Sequence, residues 1–223
     1  MNFEEYADRE MLVINVANML AGELRSSLQR HDSASFAVPG GTTPGPLFDA
    51  LCSVELDWSR VHVMLTDERW VPEAHPRSNA ALVRDRLLTD RAAAARFLPF
   101  YREGMGIAEA ARAVSDELLP ELPLSVLLLG MGEDMHTASL FPGAAGLSEA
   151  LDEAAPALVP VSPDSQPEQR VTLSGPVLDG AMCKHLVIFG EAKRAALERS
   201  ATLGALEAPI AAVIGGGTVH WAA

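Results

Sequence analysis

Apolar residues return every fourth position at Leu12, Val16, Leu20, Leu24 and Leu28, one stripe of a long helix. The period then shortens. Ser35 to Val38 reads as a short strand that runs straight into two glycines, and Pro44 to Leu51 as a helix with proline in its first turn. Val61 to Leu65 is β-branched and apolar, the pattern of a second strand, and it ends on Asp67-Glu68-Arg69. Ser78 is placed to cap a helix reaching Leu88. Ile107, Ala110, Ala111, Val114 and Leu118 mark a further amphipathic helix, and Leu124 to Leu129 is an apolar run suited to a strand buried on both faces. Arg170 to Leu173 and His185 to Phe189 follow as strands, then a helix from about Glu191 to Arg199 and a last short strand over Val219 to Trp221.

Strands alternating with helices predict an α/β fold. Its sheet should be mostly parallel, doubly wound and Rossmann-like, with helices on both faces. No internal repeat or low-complexity linker divides the chain, so residues 1–223 are expected to form a single domain. Ser162 to Pro167, rich in proline and polar residues, is expected to be a surface loop, and Gly215-Gly216-Gly217 a turn, because no helix follows it.

Hydrophobic residues make up 48% of the chain and aromatic ones 5%, which predicts a sizeable, mainly aliphatic core. The formal net charge of −13 argues against a nucleic-acid partner or an anionic membrane surface. Any anion site must therefore be locally positive against a negative background. Cys52 and Cys183 are too few and too isolated for a disulfide framework or a zinc site, and are expected to be two small buried apolar residues. The N-terminal segment is acidic and lacks an apolar signal core, and no apolar run approaches the roughly 20 residues that span a bilayer. A soluble cytoplasmic protein is the expectation.

Four groups of residues carry chemistry. The stretch Val126 to Gly143 passes from a buried strand through Gly130-Met131-Gly132 to His136, with Thr137 and Ser139 behind it. Ligands of wound sheets bind outside the carboxyl ends of strands, which places a histidine, able to titrate near neutral pH, where a general base is wanted. A short helix is expected after it. Gly40 and Gly41, followed by Thr42, Thr43 and a helix, suit either a tight turn or the close approach of a phosphate. Asp67, Glu68 and Arg69 close a strand and are either a solvated turn or a site; alternation lets only one of the two carboxylates face a ligand. Lys193 and Arg194 fall in the first turn of a helix, the end that attracts anions. They either hold a bound anion or point into solvent. Asp134, two residues before His136, could orient the imidazole. His185 starts an apolar strand and reads as a core or edge residue, and His31, His62, His75 and His220 carry no motif.

The stretch ending in Gly130-Met131-Gly132-Glu133-Asp134-Met135-His136-Thr137-Ala138-Ser139-Leu140-Phe141-Pro142-Gly143 resembles the GMGxDGHTASLFPG signature of 6-phosphogluconolactonases. Pro39 to Pro44 resembles the GGSTP loop of that family, and Thr66 to Pro72 with Ser78-Asn79 resembles its DERxVP…SN block. Arg170 to Leu173 and Gly190 to Lys193 match more weakly, and all five blocks stand in the family's order. The resemblance implies the sugar-phosphate isomerase/CoA transferase-like fold. It implies a carboxylic ester hydrolase that opens 6-phospho-D-glucono-1,5-lactone to 6-phospho-D-gluconate, in the oxidative pentose phosphate pathway. His136 is then the base, with Asp67 the carboxylate that faces the substrate and Arg69 in contact with the ligand; which carboxylate, Asp67 or Asp134, orients the imidazole in catalysis is left open. Arg170 and Lys193 hold the phosphate, and Gly40, Gly41, Thr42 and Thr43 form the loop around the substrate. The partner is a small phosphorylated sugar lactone; no cofactor and no metal are expected, since no nucleophile elbow and no metal-ligand spacing is present. Oligomeric state is left open. Two departures stand out: Met135 where the family usually has glycine, and Pro39 where it often has serine. Two other classes share the fold, the sugar-phosphate isomerases and deaminases, and sugar-phosphate-sensing regulatory domains. The first lack the Thr-Ala-Ser-Leu-Phe-Pro ending, and the second carry a basic DNA-binding helix pair.

Overall fold

Seven parallel strands form the central sheet of the protein, seen here in a computed structural model that describes residues 1–164 and 166–223. Ser165, inside the loop expected at 162–167, lies outside the described residues. In chain order the elements are β1 (Asn2–Glu5), α1 (Arg9–Leu28), β2 (Ala34–Val38), α2 (Gly45–Leu51), β3 (Val61–Leu65), β4 (Asp67–Arg69), α3 (Asn79–Arg86), β5 (Arg96–Leu98) and α4 (Ile107–Leu118). They continue as β6 (Val126–Leu129), α5 (Leu147–Leu151), β7 (Leu158–Val161), β8 (Arg170–Leu173), α6 (Gly175–Asp179), β9 (Cys183–Phe189), α7 (Glu191–Ser200), α8 (Pro209–Val213) and β10 (Thr218–Ala222).

The central sheet runs β1-β10-β9-β6-β2-β3-β5, and every pairing in it is parallel. From β2 the chain winds outward to β3 and β5; from β6 it winds the other way to β9 and β10. The strand order therefore reverses between β2 and β6, the point at which wound sheets open a crevice for ligands. β2 and β6 are buried at every position, the mark of strands covered on both faces. The core is aliphatic apart from a few large rings, chiefly Trp58, Phe36, Phe48 and Phe100. The stripe read in the sequence is the buried face of α1: Leu12, Val16, Leu20, Leu24 and Leu28. Asp8 caps that helix, accepting from the Met11 N–H at 2.8 Å. Among the described residues no helix is long and apolar enough to cross a membrane.

Several elements depart from the sequence reading. The charged tail of β3 is not a strand end: the chain breaks at Thr66, and β4 pairs antiparallel with β8 in a second sheet, β4-β8-β7. Arg170 to Leu173 thus leaves the parallel sheet altogether and brings Arg170 opposite Arg69. The last strand is not marginal but lies between β1 and β9. β1 escaped notice because all four of its residues are exposed and only Phe3 is apolar; it is an edge strand held by β10. Cys52 and Cys183 are half-buried free thiols rather than enclosed core residues. The Cys52 Sγ donates to the Asp49 carbonyl at 3.3 Å.

Candidate active site

A cleft of about 250 Å³ opens at the β2/β6 reversal. One wall is the loop that leaves β2, Pro39 to Pro44; the other is the turn that leaves β6, Gly130 to Gly132 with His136 and Ala138. Asp67, Arg69 and Asn79 come from the β4 side, Arg170 from β8 and Lys193 from the first turn of α7. Nine of the residues singled out in the sequence, Gly40, Gly41, Thr42, Thr43, Asp67, Arg69, His136, Arg170 and Lys193, line this one cleft. Asp134 does not line it but binds the imidazole that does.

The histidine is held by a tight turn. The Met135 N–H donates to the Gly132 carbonyl at 3.0 Å and the Gly132 N–H to the His136 carbonyl at 3.0 Å. A Cβ on Gly132 would lie 2.3 Å from the imidazole, so only glycine admits the ring there. Met135 takes φ 66, a left-handed conformation that glycine adopts freely and methionine does not. The short helix expected after His136 is absent. Ala138 is left-handed as well (φ 49), the Leu140 N–H closes a turn on the Thr137 carbonyl at 2.9 Å, and the Thr137 hydroxyl donates to the Gly130 carbonyl at 2.8 Å. His136 Nδ1 lies 2.5 Å from Asp134 Oδ1. An ionised carboxylate only accepts, so the proton of this bond sits on Nδ1, and in the neutral ring Nε2 is left as an acceptor. The bond to His136 holds the Asp134 carboxyl below the usual carboxylate range, against the opposing effect of its burial. Phe141 stacks on the imidazole, centroids 4.1 Å apart and planes 18° from parallel.

The two carboxylates of β4 part company as strand alternation requires. Glu68 is fully buried and points away from the cleft into the N-terminus of α3. Its oxygens accept from the N–H groups of Arg69 (2.7 Å), Asn79 (2.8 Å) and Ala80 (2.8 Å) and from the Ser78 hydroxyl (3.0 Å). Burial raises its carboxyl above the usual range while those donors pull it back. Ser78 caps the same helix through the Ala81 N–H. Asp67 faces the cleft. Its Oδ2 accepts from the Ser139 hydroxyl at 2.5 Å and lies 3.7 Å from Arg170 Nη1, and its Oδ1 accepts from the Thr66 hydroxyl at 3.2 Å.

Positive charge gathers around it. Arg69 Nη1 donates to the Arg77 carbonyl at 2.5 Å, and Arg170 Nη2 donates to Gln166 Oε1 at 2.9 Å. Burial lowers the Arg170 guanidinium; Arg69 and Arg77 push the same way, and Asp67 and Glu168 push back. Burial also lowers the Lys193 ammonium, opposed by Glu133. Arg194 turns away, stacking over Trp221 at 4.5 Å and pairing with Glu5 at 3.2 Å. Among the described residues no acceptor pairs with the N–H groups of Gly41, Thr42 or Thr43, which leaves them free for a ligand. α2 is short, and Pro44 offers no side-chain cap.

Sequence reasoning missed Arg77, Ser139, Phe141, Gln166 and the place of Asn79. Ser139 and Phe141 stood inside a motif without a role; Arg77 and Gln166 meet only because β4 and β8 pair.

The model of the family described as glucosamine-6-phosphate isomerases/6-phosphogluconolactonase matches residues 7–221. The chain belongs to that family. Within the glucosamine-6-phosphate isomerase/6-phosphogluconolactonase family it is 44% identical to a Pseudomonas aeruginosa relative named 6-phosphogluconolactonase, over 92% of this chain and 88% of that one. It is 43% identical to one of the same name from Mesorhizobium japonicum, over 96% and 90%. The crystal structure of a 6-phosphogluconolactonase from Shewanella baltica superposes with a TM-score of 0.95 at 32% identity, covering all of this chain and 98% of that one.

Proposed function

We propose that this protein hydrolyses 6-phospho-D-glucono-1,5-lactone to 6-phospho-D-gluconate, in the cytoplasm and as a step of the oxidative pentose phosphate pathway. The observation that carries the reading is the meeting of His136, Arg170 and Lys193 in one cleft. The names of the relatives that are 43% and 44% identical favour lactone hydrolysis over the isomerase branch of the family.

A lactone is an activated ester, so water can attack it without a covalent intermediate. His136 Nε2, left as an acceptor by the Asp134 bond on Nδ1, takes a proton from water as its oxygen joins the carbonyl carbon. The tetrahedral oxyanion needs donors already in place; Arg69 and the unpaired N–H groups of Gly41, Thr42 and Thr43 are the candidates. The ring oxygen then leaves and takes the proton back from His136, giving the open acid. Asp67, tied to Ser139 and beside Arg170, fixes the guanidinium and offers its carboxylate to substrate hydroxyls. Arg170 and Lys193 bind the phosphate, whose charge anchors the sugar.

The test is to generate the lactone in situ and follow acid release with wild-type protein and with His136→Ala. The wild type should accelerate the release, and the variant should lose about 10²- to 10⁴-fold in kcat with its fold intact. Equal rates would remove His136 from the mechanism, and no acceleration by the wild type would remove the function.

A further inference from the structure

Asn79, the first residue of α3, borders the cleft but is only 2% exposed. Two bonds fix it. Its backbone N–H is held by Glu68 Oε1 at 2.8 Å, and its side-chain Nδ2 donates to the main-chain carbonyl of Asp67 at 2.9 Å. The second bond also fixes which end of the amide faces which way, because a carbonyl accepts only from the NH₂ end. Oδ1 is then turned to the glycine loop, where it is buried and has no hydrogen-bond partner among the described residues. An ideal Cβ on Gly40 would lie 1.9 Å from Oδ1, 2.1 Å from Cγ and 2.5 Å from Nδ2. These are not the yielding tips of a mobile side chain: the amide is pinned at one end and enclosed.

We propose that Asn79 is a positioning residue that sets how closely the glycine loop approaches the acidic strand β4, and so where the loop's donors stand over the substrate. Its amide is a flat spacer between the Asp67 carbonyl and the Gly40 backbone. One end must donate and the other must be slim enough to let a bare Cα lie on it. Leaving Oδ1 unpaired is unfavourable, and the fold retains it where the loop N–H groups must be placed. The substitution Asn79→Asp would keep the shape but set an oxygen against the Asp67 carbonyl; Asn79→Ala would leave a gap into which the loop can sink. The role rests on the hydrolytic reading above, since the loop donors matter through the oxyanion they face.

A double-mutant cycle separates this from a structural contact. Asn79→Ala should lower kcat by about tenfold to a hundredfold while KM moves less than about threefold, because the donors are displaced and the phosphate anchors are not. Gly40→Ala should cost at least about tenfold in kcat/KM in the wild type and in Asn79→Asp, where the clash remains, but less than about threefold in Asn79→Ala, where the space is vacated. Equal Gly40→Ala costs in all three backgrounds overturn the proposal. So does coupling that appears in Tm while kcat is untouched. If the wild type leaves the lactone unreacted, the reading of function has failed and not this one. The proposal is then read from crystal structures of the wild type and Asn79→Ala, where a glycine loop that keeps its place against β4 overturns it.

Discussion

His136 and Asp134 share a 2.5 Å bond across a single intervening residue, Met135, whose left-handed backbone is what lets two side chains so close in sequence face one another. The bond puts a proton on Nδ1, so that the neutral ring presents Nε2 as an acceptor. Asp134→Asn keeps the shape but turns the partner into a group that can offer an N–H to Nδ1, favouring the wrong tautomer. The expected result is a fall in kcat within the roughly 10²- to 10⁴-fold span of general-base catalysis, smaller than that of His136→Ala, with KM little changed. Steady-state kinetics on the lactone check it, and an unaltered kcat would mean that the carboxylate plays no part in orienting the ring.

What could be read from the sequence was local. The Ser78 cap is a contact across three residues, and the α1 stripe and the buried runs of β2, β6 and β9 are periodicities of single elements. His136 stood out because a buried strand broke on glycines just before it. What was hidden came from pairing. Asp67 to Arg69 is only three residues and wholly polar, so nothing marks it as a strand until Arg170 to Leu173 arrives beside it. The Ser139 bond to Asp67 joins the turn after β6 to β4, and the Arg77 bond to Gln166 joins the segments that flank β4 and β8; neither has a sequence signal. Asn79 was visible as part of a motif, but its contact with Gly40 exists only once α3 and the β2 loop are brought together.

Met135 is a half-buried side chain packed on the core with a backbone that suits glycine. Met135→Gly trades packing against relief of the left-handed conformation and should leave Tm and kcat close to wild type. Met135→Val cannot make that trade, because a β-branched residue at positive φ is strained by about 1–3 kcal/mol. It should lower Tm and, by shifting the turn, kcat. Thermal melts and kinetics on the two variants decide it; a valine variant as stable as the glycine one would show that the turn is not constrained.

A largely buried chain away from the cleft should make the protein less stable in acid. The Tyr6 hydroxyl lies 2.9 Å from His220 Nδ1, His220 Nε2 lies 3.0 Å from His185 Nδ1, and His185 Nε2 lies 2.6 Å from Glu23 Oε2. One set of protons, on Tyr6, His220 Nε2 and His185 Nε2, satisfies all three bonds with both rings neutral. Burial, with His185 adding to it, pushes His220 down to about 4. An unfolded histidine titrates near 6.5, so the unfolded chain binds the extra proton first. This contribution is full above about pH 6.5 and is lost as the pH falls toward 4, by up to about 3 kcal/mol. Urea unfolding at pH 7 and pH 4 should show a steeper loss for the wild type than for His220→Gln. The buried Glu68, which acts in the opposite sense, is present in both and cancels. Identical slopes would assign the acid sensitivity to other groups.

Lys193 and Arg170 are both cleft cations, but only one can be removed cleanly. Arg170 is bound to Ser139 and Gln166 and sits beside Asp67, so its loss would also disturb the carboxylate. Lys193 projects from the first turn of α7, half-buried, with Glu133 acting on its ammonium against the effect of burial. If it anchors the phosphate, Lys193→Ala should raise KM for the phosphorylated lactone by roughly tenfold or more, the worth of a charge-assisted hydrogen bond, and leave kcat nearly constant. On unphosphorylated glucono-1,5-lactone, which has nothing for the ammonium to hold, wild type and variant should have the same kcat/KM. Equal losses on both substrates would place Lys193 at the reacting carbon instead of at the far end of the sugar.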